Sequence, residues 1–170
     1  MSCSQTLSAI SKDCNANIGG IKRVLLANTD DVTAVTITSE IVTAITMDTG
    51  KKFLEFAFRP NTGSMTTNAQ VSDSGASPYW QTDVVMAFNR LETAKSVAIK
   101  ALAQADLIGI VEDMNGKYWL VGFENPLNIS AGAAASGTQR GDRNGYDITL
   151  TDVASELPHE VDASIIAGLL

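Results

Sequence analysis

The sequence predicts a mainly β, α+β domain: an antiparallel β-sandwich or partly closed barrel with one flanking helix. Three observations predict it. Long stretches are rich in Val, Ile, Thr and Phe, which suit a pleated, half-buried surface. Clusters of Asn, Asp and Gly interrupt these stretches at short intervals, as turns between strands do. Only Arg90–Asp106 carries apolar residues at helical spacing. The 170 residues make one domain, 1–170, which can bury roughly 70% of its unfolded surface without a disulfide or metal staple. No repeat of solenoid or propeller period is present.

Residues 1–17 are polar and aperiodic and form an N-terminal arm, followed by the turn Ile18-Gly19-Gly20. Ile21–Ala27 is a first strand, ended by Asn28-Thr29-Asp30-Asp31. Val32–Met47 is strand, with Ser39-Glu40 as a break. Alternation puts Val35, Ile37 and Ile41 on one face and Thr36, Thr38 and Glu40 on the other. Asp48–Lys51 is a tight turn. Phe53–Arg59 alternates, with Leu54, Phe56 and Phe58 together.

Pro60–Pro78 lacks a core pattern and reads as an extended loop. Met65, Ala69 and Val71 lend it some strand character, as in a long hairpin arm. Tyr79–Phe88 returns as strand. In the helix, Ala94, Val97, Ala98, Ala101, Leu102 and Ala105 form a mostly alanine face able to lie close on a sheet. Leu107–Phe123 is the central hairpin. A two-residue Asn115-Gly116 loop would pair Met114 with Lys117, Glu112 with Trp119 and Val111 with Leu120. Ala131–Gly141, all small or polar apart from Arg140, reads as a linker. Tyr146–Leu150 is a last clear strand. The tail from Asp152 to Leu170 is ambiguous, with an apolar end, Ile165–Leu170, that suits docking on a neighbour.

Composition narrows function. The chain is 45% hydrophobic and 18% charged, with net charge −7 and a pI of about 4.6. No basic run offers the footprint of duplex binding, whereas an acidic balance suits a surface that nucleic acid passes without sticking. Two cysteines, Cys3 and Cys14, fit a reducing compartment, although a disulfide between them is conceivable. No signal peptide, membrane helix or membrane anchor is expected.

Residues with catalytic potential are few. His159 is the only histidine and sits in the tail; one His and two Cys fall short of the usual zinc ligands. Asp48-Thr49-Gly50 matches the core of aspartic proteases. That chemistry needs two carboxylates sharing a proton, and the motif occurs once, so a retropepsin-like hydrolase using Asp48 is a minor alternative. Gly137–Asp142 is glycine-rich but lacks the Gly-Lys-Ser/Thr and helix of a phosphate cradle. Glu112 and Asp113 are expected at a solvated hairpin end. Trp80 and Trp119 are expected as core or interface anchors. No catalytic residue, cofactor or metal is assigned.

Two stretches carry a resemblance. One is N-A-N-I-G-G-I-K-R-V-L-L-A-N, residues 15–28. The other runs from G-K-Y-W-L-V-G, residues 116–122, through Ser136-Gly137-Thr138 and G-D-R-N-G-Y, residues 141–146, to Ile148-Thr149-Leu150. Together they resemble tail tube proteins of phages and prophages of gut Bacteroidetes. The resemblance covers about a third of the chain and rests on turn-and-strand patterns.

It implies a virion structural protein whose subunits form homo-oligomeric rings, usually hexamers, stacked into a tube through which DNA passes without specific binding. Its other partners would be tail proteins, and it would assemble in the host cytoplasm. It also implies a long loop reaching a neighbour, a role that Pro60–Pro78 is placed to fill. Arg59, Asn61, Met65, Val71, Tyr79 and Trp80 are the candidates for that assembly arm. Thr36, Thr38 and Glu40, short and uncharged or acidic, are the candidates for the lumen. Alternatives within the virion are a connector, tail-terminator or capsid decoration protein. A soluble carbohydrate- or protein-binding β-sandwich is a further alternative.

Overall fold

The computed structural model describes residues 8–12, 14–71 and 77–170. Strands β1 (Ile21–Asn28), β2 (Val32–Thr38), β3 (Ile41–Met47), β4 (Leu54–Ala57), β5 (Gly63–Gln70) and β6 (Tyr79–Asn89) precede helix α1 (Thr93–Leu102). Then come β7 (Leu107–Asp113), β8 (Tyr118–Val121), β9 (Asn128–Ala135), β10 (Gly145–Ala154), β11 (His159–Val161) and helix α2 (Ala163–Leu169). The protein is mainly β, and two sheets pack face to face without closing into a barrel. One sheet has seven strands in the order β2-β3-β11-β8-β7-β1-β4, and the other has four, β5-β6-β10-β9. Neighbours are antiparallel throughout, except that β11 runs parallel to β3.

Alternation along the strands divides the apolar residues into two cores. Val24 and Leu26 of β1 and Val111 of β7 face Val84 and Met86 of β6 and Ile148 and Leu150 of β10 between the sheets. Phe88 meets Phe56 and Phe58 edge-on there, with both ring centroids 6.4 Å away. Leu25, Ile108 and Ile110 project from the opposite face of the larger sheet into a second core. That core is closed by Ile166 and Leu169 of α2 and by Val35, Ile37 and Ile45 of β2 and β3. The central strands β1 and β7 are therefore buried on both faces, which is why L-I-G-I-V reads as a continuous apolar run. Each fully buried Leu or Ile contributes about 1.5–3 kcal/mol by leaving water.

Several expectations change here. The central hairpin closes through a three-residue loop, Met114-Asn115-Gly116, with Glu112 opposite Tyr118 and Val111 opposite Trp119. Asp113 decides this. Its Oδ1 accepts the N–H groups of Asn115 (2.8 Å) and Lys117 (2.9 Å), stabilising a turn that Gly116 completes at φ +79°. The true two-residue hairpin is β2–β3. Ser39 and Glu40 hold φ of 51° and 66°, and Thr38 lies opposite Ile41. Ile41 thus shares the exposed face of Thr38 rather than that of Val35 and Ile37.

Helix α1 is shorter than its pattern. Arg90, at φ +68°, and the extended Glu92 delay its start. Ile99, Leu102 and Ala105 pack on the core, while Ala94, Val97, Ala98 and Ala101 are exposed. The helix links β6 and β7, which belong to different sheets, so it bridges the open side of the sandwich instead of lying on a sheet. Leu54 is also exposed, on an edge strand.

Residues 63–70, expected within a loop, and 128–135, mostly expected as linker, are both strands. The neighbours β6 and β10 supply their hydrogen-bond partners and override weak local propensity. Residues 72–76 of the expected loop lie outside the described residues, as do residues 1–7 and 13 of the arm. The apolar C-terminal end covers its own chain: Ile166 and Leu169 are buried, and Phe53 N–H donates to the Leu169 carbonyl at 2.9 Å. Among the described residues there are thus two α-helices where one was expected.

Candidate functional site

The four-stranded sheet combines features that the sequence left apart. Met65, Val84, Met86, Ile129, Ile148 and Leu150 point into the core, so the intervening residues project from the outer face. That face carries Ser64, Thr66 and Asn68 of β5, Gln81 and Asp83 of β6, and Asp147, Thr149 and Thr151 of β10. A hydrogen-bonded row crosses it. Thr151 Oγ1 donates to Asp83 at 2.6 Å and lies 2.7 Å from Ser130 Oγ, and Gln81 lies 3.3 Å from Asp83. None of the four strands contains a Lys or Arg.

Among the described residues, no strand pairs with either edge of this sheet. β5 reads G-S-M-T-T-N-A-Q and β9 reads N-I-S-A-G-A-A-A. Each has eight residues, no charge and no proline, and β9 is exposed along nearly its whole length. Edges are usually blunted by Lys, Pro or bulges, because a bare row of N–H and C=O groups templates another strand.

The expected assembly residues divide between the two ends of the β5–β6 hairpin. Val71, 76% exposed, and Tyr79 and Trp80 lie at its far end, and Arg59 and the positive-φ Asn61 lie where the chain enters β5. Met65 instead packs against the core. Thr36 and Thr38 are exposed on β2, and Glu40 occupies the β2–β3 turn, on the other sheet from the polar face just described.

Two other acidic centres are structural. Glu112 was expected at a solvated edge but is 3% exposed. It accepts from Lys22 Nζ at 2.6 Å and from Arg23 Nε, and Arg23 also reaches Glu55 at 3.1 Å. Burial alone would push Glu112 up, yet the hydrogen bonds and charges of Lys22 and Arg23 outweigh it and hold the carboxyl below its usual range. No local pattern announced this, because β1 and β7 are about 90 residues apart and only their pairing joins them.

Asp152 of β10 is 6% exposed. Its Oδ2 accepts from Gly122 N–H at 2.6 Å and ties the two sheets together. Burial pushes this carboxyl up, against the opposing bonds from Gly122 and Thr82.

The sequence motifs find ordinary places. Asp48 is exposed in its turn and accepts from Thr33 at 2.8 Å. In the glycine-rich loop, Asp142 Oδ2 already takes the N–H groups of Thr138 and Gln139, both at 2.8 Å, so the donors a phosphate would need are engaged. Trp80 and Trp119 line a shared surface cleft, and Trp119 Nε1 lies 3.4 Å from Asp113. Cys14 is exposed, and Cys3 lies outside the described residues.

No described helix is long and apolar enough to cross a membrane. Comparison with protein-family models, with curated proteins and with solved structures returns no match.

Proposed function

We propose that this protein is a ring-forming structural subunit of a phage tail tube, and that β9 of one copy adds to β5 of the next. The observation that carries the reading is the pair of uncharged, eight-residue open edges on one four-stranded sheet. Strands alternate in direction across that sheet, and their number is even, so β5 and β9 run oppositely. Joining them head to tail therefore continues the antiparallel pattern. Such a contact is heterologous and closes into a ring when the rotation allows. The four-stranded sheets then form one continuous wall.

In this arrangement the Thr66, Asp83, Thr149 and Asp147 face lines the lumen, in place of Thr36, Thr38 and Glu40. DNA carries a charge about every 1.7 Å along its axis, so a wall whose strands hold no Lys or Arg, with the adjoining Arg143 neutralised by Asp147, lets it slide. The net charge of −7 and the resemblance of residues 15–28, 116–122, 136–138, 141–146 and 148–150 to tail tube proteins support the same reading.

The test uses one charge on each edge. Ala134 of β9 and Ala69 of β5 are exposed and share the inward side of their strands with core residues. A lysine at either position reaches water in a free subunit but is buried once a strand is added. The wild type should form rings or tubes by electron microscopy and mass measurement. Ala134→Lys and Ala69→Lys should be folded monomers. A wild type that stays monomeric as concentration rises, or rings that survive both substitutions, refutes the proposal.

A further inference from the structure

Three segments meet beside β11, and each brings a metal-ligating side chain. Glu40 comes from the β2–β3 turn, Glu156 from the connection after β10, and His159 from the first position of β11. His159 Nδ1 lies 3.3 Å from a Glu40 oxygen and Nε2 lies 3.5 Å from a Glu156 oxygen. One ligand atom from each residue falls within 4.8 Å of the other two. Ligands about 2.1 Å from a tetrahedral ion stand about 3.4 Å apart, so the 4.8 Å cluster must tighten around an ion. The His159 side chain is 15% exposed and its backbone is paired with Leu120, while the two glutamates are mostly exposed and free to adjust. Only one imidazole nitrogen can hold an ion, so one glutamate must change rotamer, which its exposure permits.

A second observation comes from the adjoining cavity of about 300 Å³. Glu156 and His159 form part of its wall, together with Glu124 and Asp152, and no Lys or Arg lines it. Asp152 is 6% exposed and bonded to Gly122 N–H, so it takes no part in the cluster itself.

We propose that Glu40, Glu156 and His159 bind a divalent transition-metal cation of the Zn²⁺ type, which clips the β2–β3 turn to the segment entering β11. An imidazole with two carboxylates favours such ions over Ca²⁺ or Mg²⁺, which prefer oxygen ligands alone. Neutral His159 supplies one nitrogen, any proton on that nitrogen is released, and water completes the coordination. The clip does not depend on ring assembly, and its test is made on monomers of the Ala134→Lys chain.

The experiment titrates Zn²⁺ alone into that chain with Cys3→Ser and Cys14→Ser added, which removes competing thiols. Calorimetry should show one ion per chain. His159→Gln, Glu40→Gln and Glu156→Gln should each weaken binding at least about tenfold. Hydrogen exchange at residues 39–41 should slow with Zn²⁺ in the parent and stay unchanged in His159→Gln. Glu40→Gln alters a surface side chain, so a folding defect does not obscure that arm. The proposal is overturned by no binding tighter than millimolar, by binding that His159→Gln and Glu40→Gln leave intact, or by binding without slowed exchange at the turn.

Discussion

Replacing Arg23 with Met tests how the buried carboxylate of Glu112 is held. Glu112 is 3% exposed and is satisfied by Arg23 Nε and by Lys22 Nζ at 2.6 Å. Removing one partner of a buried ion pair typically costs 3–5 kcal/mol, because the other charge stays in low dielectric without compensation. Lys22 remains, and its side chain is 61% exposed, so the lower end applies, about 3 kcal/mol. For a chain of this size that lowers the melting temperature by roughly 6–12 °C.

The sign of the pH effect follows from the wild-type carboxyl, which sits below its ordinary value of 4.5. Its stabilising contribution is present above that value and is lost as pH falls through the depressed folded value. Without Arg23 the carboxyl loses part of what holds it down and moves up, so the gap to wild type narrows in acid. Replacing both groups, Arg23→Met with Glu112→Leu, removes the stranded charge and should recover most of the loss. Urea denaturation of the wild type, both single variants and the double variant at pH 7 and pH 4 measures each quantity. A loss below about 1 kcal/mol for Arg23→Met, or a double variant as unstable as the sum of the singles, would show that Glu112 needs no internal counter-charge.

Three further outcomes are expected. Asp152 is held above its unfolded value of 3.8, so its ionisation weakens the fold as pH rises through the raised folded value; Asp152→Asn should be more stable than wild type at pH 7 and show a flatter decline from pH 4 upward. A less stable Asp152→Asn at pH 7 would show that the charged form is preferred. Ser39→Asn with Glu40→Gly should raise the unfolding free energy by about 1 kcal/mol, seen as a higher urea midpoint at unchanged slope, since both positions hold positive φ that the new residues adopt readily; a lower midpoint would mean that the native side chains offset the strain. Asp48→Asn should change stability by less than about 0.5 kcal/mol, because Asn can still accept from Thr33 at this exposed turn, and any peptide cleavage that vanishes in that variant would revive the hydrolase alternative.

The sequence by itself determined the β-rich class, the strands at 21–27 and 79–88, the hairpin within 107–123, and the break at Ser39-Glu40. Dense β-branched runs and turn residues act locally, and no partner strand is needed to read them. Tertiary structure decided the rest. Residues 63–70 and 128–135 have little apolar pattern and become strands because β6 and β10 offer them paired edges, and this is what gives the smaller sheet its two bare margins. The register of the central hairpin turned on one carboxylate, Asp113, rather than on the Asn-Gly pair. Glu112 beside Arg23, and Glu40 beside His159, are separated by tens of residues and meet only through strand pairing. Alternation along one strand says which residues share a face, but the partner that covers that face is chosen by the whole chain.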